Sequence, residues 1–94
     1  MRILLVEDDP ALATSISRAL QAQGWFVDHT ARGEPVAASL KADPYDVVVL
    51  DIGLAGIDGF ETLRRVRAEG LDTPVLMLTA RDAVEDREIG RAHV

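Results

Sequence analysis

The chain has no cysteine, which excludes disulfides, thiolate metal sites and thiol nucleophiles together. It is short of aromatic residues, with one Trp, one Tyr and two Phe in 94 residues. Long apolar runs are absent too. The first one, residues 3–6, meets Glu7-Asp8-Asp9 at once, too short for a secretory signal or a membrane span. Positive charge is the scarcer sign: ten Lys and Arg stand against sixteen Asp and Glu, a net charge of −6. A nucleic-acid surface needs a basic stripe, and none is present. What remains is 48% hydrophobic and 28% charged. That balance suits one small folded domain, and the lack of cysteine suits a reducing cytoplasm, where the chain is expected to reside.

Four short apolar runs, residues 3–6, 25–27, 47–50 and 75–78, read as strands. Three are continuous and rich in Val, Ile and Leu, as strands buried on both faces of a parallel sheet are. In the second, Trp25, Val27 and His29 alternate with Phe26 and Asp28, which predicts an edge strand. Between the runs lie stripes of helical spacing: Leu12, Ile16 and Leu20; Val36 and Leu40; Phe60, Leu63 and Val66, the last expected to be helix core. Arg64, Arg65 and Arg67 fall mostly outside that stripe and are expected to form a solvated face. Asp9 before Pro10 predicts a capped helix start. Asp58 before Glu61 and Asp82 before Glu85 resemble capping boxes. Gly24 and Gly70 stand where helices should stop, and Pro44 and Pro74 precede strands. The order β-α-β-α-β-α-β, followed by the start of another helix, predicts a parallel sheet with helices on both faces.

In such sheets ligands bind beyond the carboxyl ends of the strands, where the strand order reverses. Strand 1 runs into Glu7-Asp8-Asp9, strand 3 into Asp51, and strand 4 into Thr79-Ala80. If strands 1 and 3 are neighbours, Glu7, Asp8 and Asp51 converge. Clustered carboxylates call for a cation, and a hard divalent ion such as Mg²⁺ suits oxygen ligands. Carboxylate, metal and hydroxyl together describe a phosphoryl-transfer site, with Asp51 as the nucleophile that forms an acyl phosphate. Taken singly, Glu7 or Asp8 reads equally well as a cap or a solvated loop residue, and Asp9 reads as a cap. Asp51 is followed by the loop Ile52-Gly53-Leu54-Ala55-Gly56, which carries no cap pattern. His29 and His93 have no metal-spaced partner and read as exposed or packing residues. Gly53, Gly56 and Gly59 form no dinucleotide or P-loop signature.

The stretch from Arg2 to Asp9 resembles the opening of response-regulator receiver domains, especially the OmpR/PhoB-like class with winged-helix outputs. Residues 47–51, followed by Gly56-Ile57-Asp58-Gly59-Phe60-Glu61, resemble the segment around that family's phosphoacceptor. Residues 74–81 resemble its fourth strand and switch threonine. The resemblance implies a flavodoxin-like, doubly wound α/β fold with sheet order 2-1-3-4-(5). It implies a signalling phosphoacceptor rather than an enzyme, phosphorylated by a sensor histidine kinase and joined in its parent protein to a winged-helix DNA-binding domain. Asp51 matches the phosphorylated aspartate, and Asp8 a direct Mg²⁺ ligand. Glu7 matches the second acidic residue that helps hold the ion, and Gly53 the position whose backbone carbonyl binds it. Thr79 matches the hydroxyl that contacts the phosphoryl group and moves on activation, with Ala80 the small residue beside it. No nucleic acid or membrane is expected to be bound by this chain itself.

Two rival readings have less support. An aspartate-nucleophile phosphohydrolase wants a second acid two residues after the nucleophile, where this chain has Gly53. A non-phosphorylated interaction module has no use for an intact acidic pocket. Two departures from the family stand out. Ala55 occupies a position usually held by proline, which should loosen the loop slightly in the unfolded state. The family's lysine on a fifth strand has no counterpart, and strand 5 and helix 5 are expected to be missing. The match runs from residue 1 to about 87. Residues 88–94 read as non-native sequence resembling a translated sequencing adapter, so the expected division is an incomplete receiver over 1–87 and a tail over 88–94.

Overall fold

The computed structural model describes residues 1–78. Thr79, Ala80, the Asp82–Glu85 cap, His93 and the division near residue 87 lie outside that range. The elements are β1 (Arg2–Val6), α1 (Pro10–Gln21), β2 (Phe26–Thr30), α2 (Val36–Ala42), β3 (Val47–Asp51), α3 (Gly59–Ala68) and β4 (Val75–Leu78). The described strands form one parallel sheet in the order β2-β1-β3-β4. The strand order reverses between β1 and β3, the place where a parallel sheet opens a crevice.

Successive side chains of a strand point to opposite faces, so a continuous apolar run feeds two cores at once. Ile3 and Leu5 join Val49 and Ala13 under α1, while Leu4 and Val6 join Val48, Leu50, Val36, Leu40 and Val66 under α2 and α3. β2 lies at the sheet edge as expected. Trp25 and Val27 pack inward, and Phe26 and Asp28 are exposed. In α1 the fully buried position is Ala13, with Ile16 and Leu20 packed beside it and Leu12 only half-buried. No described helix is long and apolar enough to cross a membrane.

The expected core stripe of α3 needs correction. Val66 is buried and Leu63 packs against the core, but Phe60 is 60% exposed. The buried face runs instead through Gly59, Thr62 and Val66. At 100° per residue these three fall within about 60° of one another, whereas Phe60 lies about 120° from Val66. The Asp58 cap is also only half a capping box. Asp58 accepts from the Glu61 N–H at 2.9 Å, but the Glu61 side chain pairs with Arg64 and Arg65. Those guanidiniums, Arg64 foremost, pull the Glu61 carboxyl down to about 2. Arg67 departs from a purely solvated face: it donates to the carbonyls of Leu71 and Thr73, both at 2.9 Å, and ties down the turn into β4.

The predicted start of α1 is present. Asp9 accepts from the N–H groups of Ala11 and Leu12 at 3.0 and 3.2 Å, and Pro10 opens the helix. The cap therefore fixes the chain just after Glu7 and Asp8. Asp9→Ala is expected to lower stability by about 1 kcal/mol, the usual value of an N-cap. A urea midpoint equal to that of the parent chain would show the cap to be dispensable.

Candidate functional site

The strand register creates the site. Val6 lies opposite Leu50 in the β1–β3 ladder, so the residues that follow, Glu7 just past β1 and Asp51 at the end of β3, come side by side. Backbone bonds hold the chain here: Glu7 N–H donates to Thr30 O at 3.1 Å, and the N–H of Ile52, the residue after Asp51, donates to Leu78 O at 2.8 Å. The His29 Nε2 lies 2.7 Å from the Glu7 carbonyl. A carbonyl only accepts, so in this contact Nε2 carries the proton.

Glu7, Asp8 and Asp51 each offer a carboxylate oxygen within 4.8 Å of the others. Glu7 and Asp51 are buried and Asp8 is half-buried. Every one of the three receives a backbone N–H. Asp9 N–H donates to Glu7 Oε2 at 3.1 Å, Gly53 N–H to Asp51 Oδ1 at 3.0 Å, and Ala55 N–H to Asp8 Oδ2 at 3.0 Å. The first two are local turns; the third spans 47 residues and joins the end of β1 to the loop after β3.

That loop is anchored at both ends. Leu54 is buried in the core beneath α2 and α3. Gly59 N–H donates to Ile52 O at 2.9 Å, and a Cβ at Gly59 would stand 2.6 Å from the Asp51 carbonyl oxygen. Only glycine lets α3 begin this close to the strand end.

Three carboxylates at this spacing repel one another unless protons or a cation intervene. The donor set is all oxygen, offers no nitrogen or sulfur, and is preformed, which fits a hard divalent ion of the Mg²⁺ type. Reading the sequence identified all three acids. It missed Leu54 as a loop anchor, although an apolar residue inside a glycine-flanked loop was a usable signal. It also missed the His29 contact and the Ala55 donor. Gly53 is placed beside Asp51 through its N–H.

The family model described as the response regulator receiver domain matches residues 3–92. The transcriptional regulatory protein TcrA of Mycobacterium tuberculosis is 50% identical over 90 residues, which are 96% of this chain and 36% of that protein. QseB of Escherichia coli O157:H7, also a transcriptional regulatory protein, is 46% identical over 96% of this chain and 41% of its own length. The chain thus spans well under half of these relatives. Among solved structures, the receiver domain of the sensor histidine kinase PA1611 from Pseudomonas aeruginosa PAO1 superposes with a TM-score of 0.79. It is 36% identical, covers 93% of this chain and 73% of its own, and was solved with a magnesium ion coordinated in its active site cleft. The Francisella response regulator 1452 receiver domain gives a TM-score of 0.78 at 27% identity, covering 96% of this chain and 74% of its own. A family match across nearly the whole chain agrees with the sheet order and with the acids at its reversal point: this chain belongs to the response regulator receiver domain family.

Proposed function

We propose that Asp51 is the phosphoacceptor of a two-component signalling switch, with Mg²⁺ held by Glu7, Asp8, Asp51 and the Gly53 carbonyl. The observation that carries this reading is the convergence of three carboxylates within 4.8 Å at the ends of adjacent strands, with Asp51 buried among them. When bound, the ion neutralises charge on the carboxylates and on the incoming phosphoryl oxygens. An Asp51 oxygen attacks phosphorus, the N–P bond of a kinase phosphohistidine breaks, and an acyl phosphate forms while the histidine nitrogen keeps the bonding pair. Gly53 N–H, bonded to Oδ1, fixes the rotation of the Asp51 carboxylate and so distinguishes its two oxygens.

Thr79 is assigned the phosphoryl contact, and its movement would bias an output in the parent protein, in keeping with the transcriptional regulators this chain resembles. A winged-helix DNA-binding domain of the OmpR/PhoB-like kind is the proposed output, and the cytoplasm the proposed setting. The magnesium-bound PA1611 receiver supports the choice of ion. The chain is read as a phosphoacceptor that assists its own phosphorylation and dephosphorylation, and it turns over no separate substrate.

Calorimetric titration tests the metal reading. Mg²⁺ is expected to bind the parent chain, and the Asp8→Ala, Asp51→Ala double variant to lose the binding heat. Equal affinity in the two would discard the site. Fluorescence is the poorer probe. Trp25 sits before the start of β2, and the acids lie at the opposite ends of the strands, about 15 Å away for a five-residue strand.

A further inference from the structure

We infer that the connection from β2 into α2, residues 31–35, is a clamp that keeps the loop after Asp51 from opening while the sheet stays intact. It grips that loop and the start of α3 at two points. The first is Gly33, which is buried and sits against α3. A Cβ at Gly33 would overlap Thr62 Oγ1 and stand 3.1 Å from Ile57 Cγ1. Thr62 is 1% exposed, and its hydroxyl donates to the Asp58 carbonyl at 2.8 Å, so turning aside would break that bond. A β-branched side chain in a helix also has few rotamers open to it. Gly33 does not have positive φ, so glycine serves here for space rather than for backbone freedom.

The second point is Gly56. Arg32 and Glu34 form a fork, Nε to Oε1 at 3.3 Å and Nη2 to Oε2 at 3.1 Å. The fork lies on the Gly56 backbone: a Cβ there would overlap Arg32 Nη2 and stand 2.9 Å from Glu34 Oε2. Arg32 foremost, with the backbone N–H groups of Glu34 and Ile57, holds the Glu34 carboxyl below the usual carboxylate range. The carboxylate thus faces the loop backbone as well as its guanidinium partner. Both side chains are exposed, and an exposed ion pair alone adds little. What this one adds is cover over a glycine at φ of +78°. Beyond the clamp, α2 buries Val36 and Leu40 in the core, and Lys41 pairs with Glu69 just past α3. The clamp, α2 and α3 therefore form one block on that face of the sheet.

Hydrogen exchange followed by NMR on the 94-residue chain tests the clamp. No ion is needed, so the outcome is separate from that of the metal reading. The Gly59 amide, bonded to Ile52 O at 2.9 Å, reports the loop; the Val48 amide, bonded to Pro74 O at 2.9 Å, reports the sheet. In Gly33→Ala the Gly59 amide is expected to exchange about tenfold faster relative to Val48, because extra volume in a packed contact pushes the loop away. Adding Thr62→Ala makes room for the new methyl group and should recover most of that change. Glu34→Ala should raise the ratio about threefold, in keeping with its exposure, and Glu34→Gln, which keeps an acceptor, should raise it less. A parent-like ratio in either Gly33→Ala or Glu34→Ala would overturn the two-point clamp. So would equal acceleration of Gly59 and Val48, which reports global unfolding, or a double variant no better than Gly33→Ala. If Gly33→Ala does not fold, the exposed Glu34 substitutions decide the matter alone.

Discussion

Asp51→Asn is expected to abolish phosphoryl labelling of the protein by a small donor such as acetyl phosphate. Asparagine has the size and shape of aspartate, so it keeps the packing at the end of β3 and an oxygen to accept the Gly53 N–H. It loses the negative charge that makes the carboxylate a nucleophile, and it removes one of three charges from the cation-binding set. Phosphoryl transfer depends on positioning and charge neutralisation, so the change strikes both parts of the site at once. In a full-length version of the protein, intact-mass analysis should show one added phosphoryl group on the parent sequence and none on the variant. The adduct should survive acid and be lost in alkali, as an acyl phosphate is. Label that persists in Asp51→Asn, or that maps to a serine or threonine, would overturn the assignment.

Gly59→Ala is expected to destabilise the fold by about 1–3 kcal/mol, the usual cost of forcing extra volume into a packed position. The added Cβ would stand 2.6 Å from the Asp51 carbonyl oxygen and 2.7 Å from the Ile52 Cα. Both are backbone atoms of the site-bearing strand end, so no side-chain rotation relieves the contact. Gly59 does not have positive φ, and alanine would otherwise favour a helix by up to about 1 kcal/mol. The clash outweighs that gain. Either α3 shifts outward, weakening the burial of Thr62 and Val66, or the Asp51 backbone moves and carries its carboxylate with it. Urea unfolding of the chain gives the first outcome, and the Mg²⁺ affinity of the same variant reports the second. An unchanged urea midpoint together with an unchanged affinity would show that the approach of α3 to β3 is not constrained at this point.

Element types were legible in the residues because their patterns are local. Runs of Val, Ile and Leu, with Asp9-Pro10 and the glycines that end helices, record periods and stops that need no distant partner. Gly24 and Gly70 do adopt positive φ, at 86° and 79°. The three acids were legible as well, since the end of a parallel strand is where such a fold presents its chemistry. The adjacency of strands 1 and 3, on which the pocket depends, came from the family resemblance, and the pairing of Val6 with Leu50 bears it out.

Tertiary structure decided the rest. Periodicity marks which apolar residues could share a helix face, but which face is buried depends on what the helix packs against. In α3, Gly59 lies close against the Asp51–Ile52 backbone, Thr62 is buried and Phe60 faces solvent. Ala55 shows the same limit from the other side. In the sequence it was a missing proline with a small entropic effect on the unfolded chain. In the folded chain its N–H donates to Asp8 across 47 residues of sequence. Every residue except proline carries a backbone N–H, so the letters alone cannot say where one points; only the folded path of the loop aims it.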